Sequence, residues 1–494
     1  MLDKQIGTVE AMPPDADASE RARRLVLYDA LSHEAMGILT TGVFLAGYAV
    51  ALGASNFAIG LLAAVPFLAQ LLQIPAVFLI ERSGSRRLVS VWSSGFGRSF
   101  LLASAAAPFL GADAGVVVLI ATLAVHQAMA AISGCAWNSW MRDLVPADQY
   151  GRFFGKRTAV TTAVSISFAF LGSVLIDAWK RYLPGAPALA YSCLFIVSAI
   201  IGLWGVYLLY LTPELPLPTQ RQDKHWLSLL ATPLYDNNFR KLVLFLSSWN
   251  FAVNLAAPFF TVYMLKTLGY EMTTIIALTL ASQLANLAAL PIWGSLIDRF
   301  SNKAVLGVAA PLFLACMAGW TFTDLGWTQP ILFSLLLALH ILSGASTAAV
   351  ALASGNIAMK LSPEGASTAY LAANSIISAT SAAAAPILGG LAADFFAAHQ
   401  LSVSFTWTGA ERDVTVELLK LHSWTFFFAL ACILGIYSLH RLSFVQEQAG
   451  TTDPLLLKDL AAEARRSLRS LSSAAGLLRV VRLPLWLRRP NKWS

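Results

Sequence analysis

Four ionisable residues stand inside long apolar stretches of this sequence: Glu34, Arg98, His126 and His340. A carboxylate, a guanidinium and two imidazoles supply a fixed cation and groups that take up or release protons near neutral pH. None has the partners that covalent chemistry requires. The chain holds no His-Glu-x-x-His pair, no comparable nucleophile or metal constellation and no Gly-x-x-x-x-Gly-Lys-Ser/Thr phosphate loop. The four cysteines, Cys135, Cys193, Cys316 and Cys432, sit in apolar runs without metal-ligand spacing and read as packing groups. The expectation is a chain that is not an enzyme and needs no metal or other cofactor. Binding and proton exchange remain.

An ionisable group held in hydrocarbon costs at least ~2.5–3.5 kcal/mol, so each one needs a partner or a purpose. Glu34 reads either as a cavity-facing acid or as an acid near a helix end that reaches water or a loop cation. Arg98 lies about 15 Å into its helix at ~1.5 Å per residue. It is either half of a structural ion pair or a contact for a solute or coupling ion; Glu34 is the nearest acid in depth on a preceding helix. His126 and His340 share a context, Leu123-Ala124-Val125-His126 and Leu337-Ala338-Leu339-His340. They are either proton carriers or packing residues. Asn250 and Asn254, four residues apart, share one helix face with Ala257 and Thr261. Trp249 beside them could stack on a flat solute, whereas Trp140 reads as an interfacial anchor.

Such residues need a scaffold suited to lipid. Of the 494 residues 57% are hydrophobic and only 12% charged, too little charge to cover a water-soluble body of this size. A helix crossing ~30 Å of hydrocarbon takes about 20 apolar residues. Spans are expected at 32–52, 56–80, 88–110, 115–141, 158–178, 187–211, 242–266, 272–297, 304–322, 330–359, 366–396 and 422–441. These runs are too long for barrel strands, and lipid offers exposed backbone no partners, so a helical bundle follows.

Basic residues set the sidedness. Arg21, Arg23 and Arg24 precede the first span, and Arg82, Arg86 and Arg87 follow the second. Arg142, Arg152, Lys156 and Arg157 follow the fourth, Arg299 and Lys303 the eighth, and Lys360 the tenth. Both termini are therefore expected in the cytoplasm. The N-terminus lacks the basic-then-apolar layout of a cleaved signal peptide. The net charge of +7 is matched by the tail alone, where residues 454–494 hold nine Lys or Arg against Asp459 and Glu463. A basic amphipathic tail beside a span suits anionic lipid headgroups, and no nucleic-acid partner is expected.

The chain also repeats itself. Leu52-Gly53 recurs as Leu268-Gly269 and Pro75 as Pro291, at an offset of 216. Glu81-Arg82 recurs as Asp298-Arg299, Arg86 as Lys303, Gly172 as Gly389 and Asp177 as Asp394, at 217. Asn138, Met141 and Arg142 recur as Asn356, Met359 and Lys360, at 218. A near-constant offset from first to fifth span means two like halves of equal sidedness.

The loops after the second and eighth spans resemble the Gly-x-x-x-Asp-Arg-x-Gly-x-Arg/Lys motif of the major facilitator superfamily. The first copy runs Glu81-Arg82-Ser83-Gly84-Ser85-Arg86-Arg87, with Val77 at the leading Gly position and Glu81 in place of Asp. The second runs Gly294-Ser295-Leu296-Ile297-Asp298-Arg299-Phe300-Ser301-Asn302-Lys303, with Ser301 at the inner Gly. Asp143-Leu144-Val145-Pro146 through Gly151-Arg152 resembles the family's loop after the fourth span. The Gly-Pro-rich motif of many drug exporters is missing from Thr158–Trp179.

The resemblance, over roughly residues 30–441, implies an all-α polytopic membrane protein of twelve transmembrane helices in two pseudo-symmetric six-helix bundles. It implies a cytoplasmic gate of Glu81, Arg82, Gly84, Arg86, Asp143, Arg152, Asp298, Arg299 and Lys303, and a central cavity lined in part by the first and seventh helices. The expected organisation is an N-terminal segment (1–31), a first bundle (32–211), a linker (212–241), a second bundle (242–441) and a basic tail (442–494). The expected function is secondary transport of a small solute across a bacterial cytoplasmic membrane, with protons as the coupling ion. The alternatives are an efflux antiporter or a transporter-like sensor that binds ligand without moving it. Single cysteines at Arg221 and Thr451 should label only from the cytoplasm and one at Ala54 only from outside; the opposite pattern would invert the topology.

Overall fold

The computed structural model describes residues 16–145, 150–214, 233–324, 326–363, 366–397, 399–408 and 413–447. Most of the expected linker, the tail beyond residue 447 and the first fifteen residues lie outside them. Two compact units emerge, one from residues 1–54 and 65–222, the other from 55–64 and 223–494.

The first unit opens with α1 (Ala16–Thr40) and α2 (Gly42–Ala51). Its helix starts sixteen residues before the expected start at 32, because three arginines in the first turns hide it from a hydropathy window. Thr40 and Thr41 turn their hydroxyls back onto the carbonyls of Met36 (2.9 Å) and Gly37 (2.8 Å), and Gly42 takes a positive φ of 56°. Both features loosen a helix locally, and the chain breaks there. The second span is bent by 44° between α3 (Asn56–Gln70) and α4 (Gln73–Ser83). Then follow α5 (Arg86–Ala105), α6 (Ala112–Leu144), α7 (Tyr150–Tyr182) and α8 (Pro187–Tyr210). Ser85 caps α5 by accepting from the Leu88 N–H. α5 packs along α6 and α8, and α1 along α8 and α7.

The second unit carries α9 (Asn237–Lys266), α10 (Met272–Arg299), α11 (Asn302–Gly319), α12 (Gln329–Lys360), α13 (Ser367–Ala397) and α14 (Ser423–Ser443). Between α13 and α14 stands an antiparallel hairpin, β1 (Gln400–Thr408) with β2 (Asp413–His422), irregular at Val403/Ser404. A search for 20-residue apolar runs passes over it. Its signal is a period of two, Val403-Phe405-Trp407 alternating with Ser404-Thr406-Thr408.

Among the described residues, ten helical segments are long and apolar enough to span a membrane, and the bent α3–α4 pair makes eleven. α5, expected as the third span, is not among them. It carries Arg86, Arg87 and Arg98 with Ser90, Ser93 and Ser94.

Close backbone approach fixes α10 against α12. Trp293 Nε1 donates to the Ala345 carbonyl at 2.9 Å and Asn286 Nδ2 to that of Gly344 at 3.1 Å. A Cβ on Gly344 would lie 2.1 Å from the Ser282 carbonyl oxygen, closer than any real contact. Gly344→Val must push the two helices apart and should destabilise the second unit by about 1–3 kcal/mol. A lowered melting temperature of the purified protein checks this; an unchanged one would show that the approach is not rigid.

Candidate functional site

A cavity of about 380 Å³ opens inside the first unit. α1 contributes Asp29, His33, Met36, Gly37 and Thr40, spaced to form one stripe along the helix. α5 presents Ser94, Gly97 and Arg98 and α6 presents His126, Gln127 and Trp137; Arg157 of α7 reaches the same space. The break after α1 and the bend before α4 put Thr41 and Gln73 on its wall.

Arg98 organises this wall. It is buried, and its Nη1 donates to the Gly202 carbonyl at 2.6 Å and lies 3.8 Å from Asp29 Oδ1. Its Nη2 lies 3.3 Å from His33 Nδ1. A guanidinium can only donate, so this Nδ1 accepts and the His33 ring is neutral, its proton on Nε2. His126 Nδ1 stands 2.9 Å from the Gly97 carbonyl, which can only accept, so that nitrogen carries a proton. α8 leaves room by carrying glycine. A Cβ at Gly205 would sit 2.8 Å from Arg98 Nη1 and 3.1 Å from Asp29 Oδ1, and one at Gly202 would strike Met36 Sδ at 2.5 Å.

The acid facing Arg98 is thus Asp29, not Glu34. Glu34 is half-buried and not part of the cavity lining; it lies about 100° around the helix from His33. Asp29 lies three residues before the apolar run expected at 32–52, on the turn of α1 that follows its arginines. The available signal was the spacing of Asp29, His33, Gly37 and Thr40 on one face.

Of the other residues singled out above, Arg98 and His126 line this cavity. His340 is in the second unit, where Nδ1 bonds its own Leu336 carbonyl at 2.8 Å and the ring meets Trp320 edge-on at 5.5 Å. Trp249 is buried against Phe313 with ring centroids 5.7 Å apart. Asn250 and Asn254 each donate to a carbonyl one turn back, at 2.8 Å.

The charged loops divide into buried and exposed members. Arg86 is 2% exposed, pairs with Asp143 and donates to the Ser139 carbonyl at 2.9 Å. Glu81, Arg82 and Gly84 are exposed, as are Asp298 and Arg299; the guanidinium of Arg299 lies 5.1 Å from the Phe300 ring centroid. Arg152 falls in α7, but its side chain is outside the described residues.

Two acids not singled out from the sequence hold these loops. Glu214 accepts from the backbone N–H of Arg86 and of Arg87 (3.1 Å) and from Ser85 Oγ (2.6 Å). Glu447 accepts from the backbone N–H of Lys303 (2.7 Å), Asn302 Nδ2 (2.8 Å) and Lys360 Nζ (3.1 Å). Each follows the last residue of its unit's last described helix, Tyr210 or Ser443, by four positions. Glu214 clamps the N-terminus of α5 and Glu447 that of α11, where a carboxylate meets unpaired N–H groups and the positive end of the dipole. The two glutamates are 233 residues apart, not 217, so a constant-offset search misses them.

Comparison with known proteins follows the same lines. The family profile described as Major Facilitator Superfamily matches residues 34–281 and again 242–487. No curated protein sequence matches the chain. Among solved structures, the nucleoside transporter NupG is similar with a TM-score of 0.63 at 12% identity, covering 87% of this chain and 100% of its own. A bacterial homologue of the iron transporter ferroportin in an inward-facing state gives 0.61 at 13% over 87% and 99%. A D-xylose-proton symporter gives 0.58 at 16% over 87% and 97%. Identities this low show a shared fold.

The Glu447 clamp has a pH signature. Burial works to raise its pKa, but hydrogen bonds from Asn302, the Lys303 backbone and Lys360 outweigh it and hold the carboxyl below the ordinary glutamate value. A depressed folded pKa stabilises above the unfolded value, and that stability is lost as pH falls through the folded one. Glu447→Gln should therefore lower stability by about 1–3 kcal/mol at neutral pH. The gap to wild type should close as pH drops below about 4. Melting curves against pH read this out; a gap independent of pH would mean that the charge is not what clamps.

Proposed function

Because the chain belongs to the Major Facilitator Superfamily, we propose that it is an alternating-access secondary carrier of a small polar solute, coupled to protons through Asp29, Arg98 and His33. The single observation that carries the coupling is a buried Asp29–Arg98 pair on the wall of a cavity, with neutral His33 against the same guanidinium. Attraction across 3.8 Å is strong in a poorly screened interior, so protonating Asp29 loosens Arg98 and protonating His33 Nδ1 expels the ring from it. Either event changes the shape and charge of the cavity wall. Proton binding and solute binding then report to each other, as coupling requires.

In this reading both termini are cytoplasmic, and 32–211 and 242–441 are the moving bundles within a bacterial cytoplasmic membrane. Arg86–Asp143 and the loops at Glu81-Arg82, Arg152 and Asp298-Arg299-Lys303 form the cytoplasmic gate. Glu34, His126, Trp249, Asn250, Asn254 and His340 remain candidates for solute contact, His126 foremost because it lines the cavity. The tail rests on anionic lipids. One structural relative is described as a proton symporter and another as a nucleoside transporter, which makes sugars and nucleosides natural first solutes beside small organic acids.

Proteoliposomes of the whole chain, given these three solute classes in turn, should accumulate at least one against its gradient when a pH gradient is imposed. Asp29→Asn should reduce that accumulation to the equilibrium level yet keep exchange of the same solute, since Asn holds the shape without a proton to release. Unchanged accumulation by the variant would remove Asp29 from coupling. Uptake of no class by the wild type would overturn the carrier reading.

A further inference from the structure

Taking the carrier reading as its premise, we infer that the cavity of the first unit receives a small organic monocarboxylate, held at its carboxylate by the guanidinium of Arg157 stacked on Trp137. The starting point is a charge imbalance. Arg98 is answered by Asp29 across 3.8 Å and by the Gly202 carbonyl, whereas Arg157 lines the same cavity with no ion pair among the described residues. Its Nε is buried and has no hydrogen-bond partner among the described residues. A buried donor left unmade is costly, so a site that keeps one open fits a ligand that closes it.

The position of Arg157 could reflect sidedness alone, since it stands only four residues, ~6 Å, into the span that begins at Phe153. An arginine with that role alone extends into the headgroups and is hydrated. Arg157 instead is half-buried and stands with its central carbon 5.0 Å from the centroid of the Trp137 ring. Stacking spends one face of the guanidinium on the indole and leaves its edge, with the fork of N–H donors, for the cavity.

Two considerations choose the anion. With the His33 and His126 rings both neutral, Asp29, Arg98 and Arg157 sum to one positive charge on the cavity wall. One negative charge neutralises it; a dianionic phosphate would leave an uncompensated charge in a poorly solvating space. A guanidinium fork also matches the two oxygens of a carboxylate in parallel hydrogen bonds. The remaining wall is mixed. Met36, Pro66 and Trp137 offer apolar surface for the ligand's body, and Gln127 offers an amide at its side. A cavity of about 380 Å³ suits a small molecule.

The test measures binding without transport, so its failure is separable from that of the carrier reading. Full-length protein in lipid nanodiscs at neutral pH is titrated with benzoate, hexanoate and pyruvate, with the corresponding amides, and with inorganic phosphate. Melting temperature and intrinsic fluorescence are the readouts. At least one carboxylate should raise the melting temperature with a saturable dose response while its amide does not, and phosphate should do nothing. Arg157→Gln should weaken that carboxylate at least tenfold, and Arg157→Lys, which keeps the charge and loses the fork, should fall between. Trp137→Phe should reduce the ligand-dependent fluorescence change. Should Arg157→Gln not fold, Arg157→Lys alone still decides, since wild-type affinity in that variant overturns the fork. Equal response to amides, a response to phosphate alone, or no response to any carboxylate overturns the inference. Accumulation of a sugar or nucleoside in proteoliposomes with no carboxylate binding would retain the carrier and reject this ligand class. Carboxylate binding without uptake would do the reverse.

Discussion

A guanidinium cannot shed its charge, so wherever Arg98 is buried the protein must be built around it. The requirements spread outward from that one cation. α1 must begin early enough to bring Asp29 to it, and α8 must be glycine at 202 and 205 to let it pass. The Gly202 carbonyl must turn toward it, and His33 must stand neutral to accept from it. The serines on the same helix follow from the same economy. Ser90 and Ser94 share hydrogen bonds with Ser133 at 3.0 and 2.7 Å, so α5 meets α6 through polar contacts. A helix built this way is two-faced: its serines and Arg98 turn into the unit, while Leu88, Trp92, Phe96 and Leu102 are exposed on the other side.

The duplicated scaffold carries unequal chemistry. In both units the last described helix ends four residues before a glutamate that clamps the N-terminus of α5 or α11, so the mechanical element is common to both. Elsewhere they diverge. The first unit lines its cavity with ionisable and amide groups. The second packs Phe260 on Trp320 at 4.4 Å and Tyr263 against Phe428 at 5.7 Å, and it seats His340 beside that aromatic cluster. His340 is half-buried, bonded to its own helix and set edge-on to Trp320, whereas His126 stands within the cavity lining.

The two acid clamps also explain why the loops contain both buried and exposed charge. Arg86 and Lys303 are engaged at their backbone N–H groups by a carboxylate, and each side chain is bound separately, to Asp143 or to the carbonyls of Ser443 and Val445. Glu81, Arg82, Asp298 and Arg299 lie on the exposed side. Charges of the first kind hold the N-termini of α5 and α11 in place.

What the sequence determined by itself was everything that depends on composition and period. Sparse charge required lipid, runs of about 20 apolar residues required helices, and a constant offset required two like halves. The family motif after the second and eighth spans was legible because it is local. The tertiary structure alone decided which charges meet. Asp29 and Arg98 are 69 residues apart, Glu214 and Arg86 128, and Glu447 and Lys303 144. No local pattern links such pairs. Arginines at the start of α1 masked the helix that carries Asp29, and an insertion containing the hairpin shifted Glu447 out of register with Glu214. A hydropathy window averages over neighbours in the chain, but a charge buried in a low dielectric answers only to its neighbours in space.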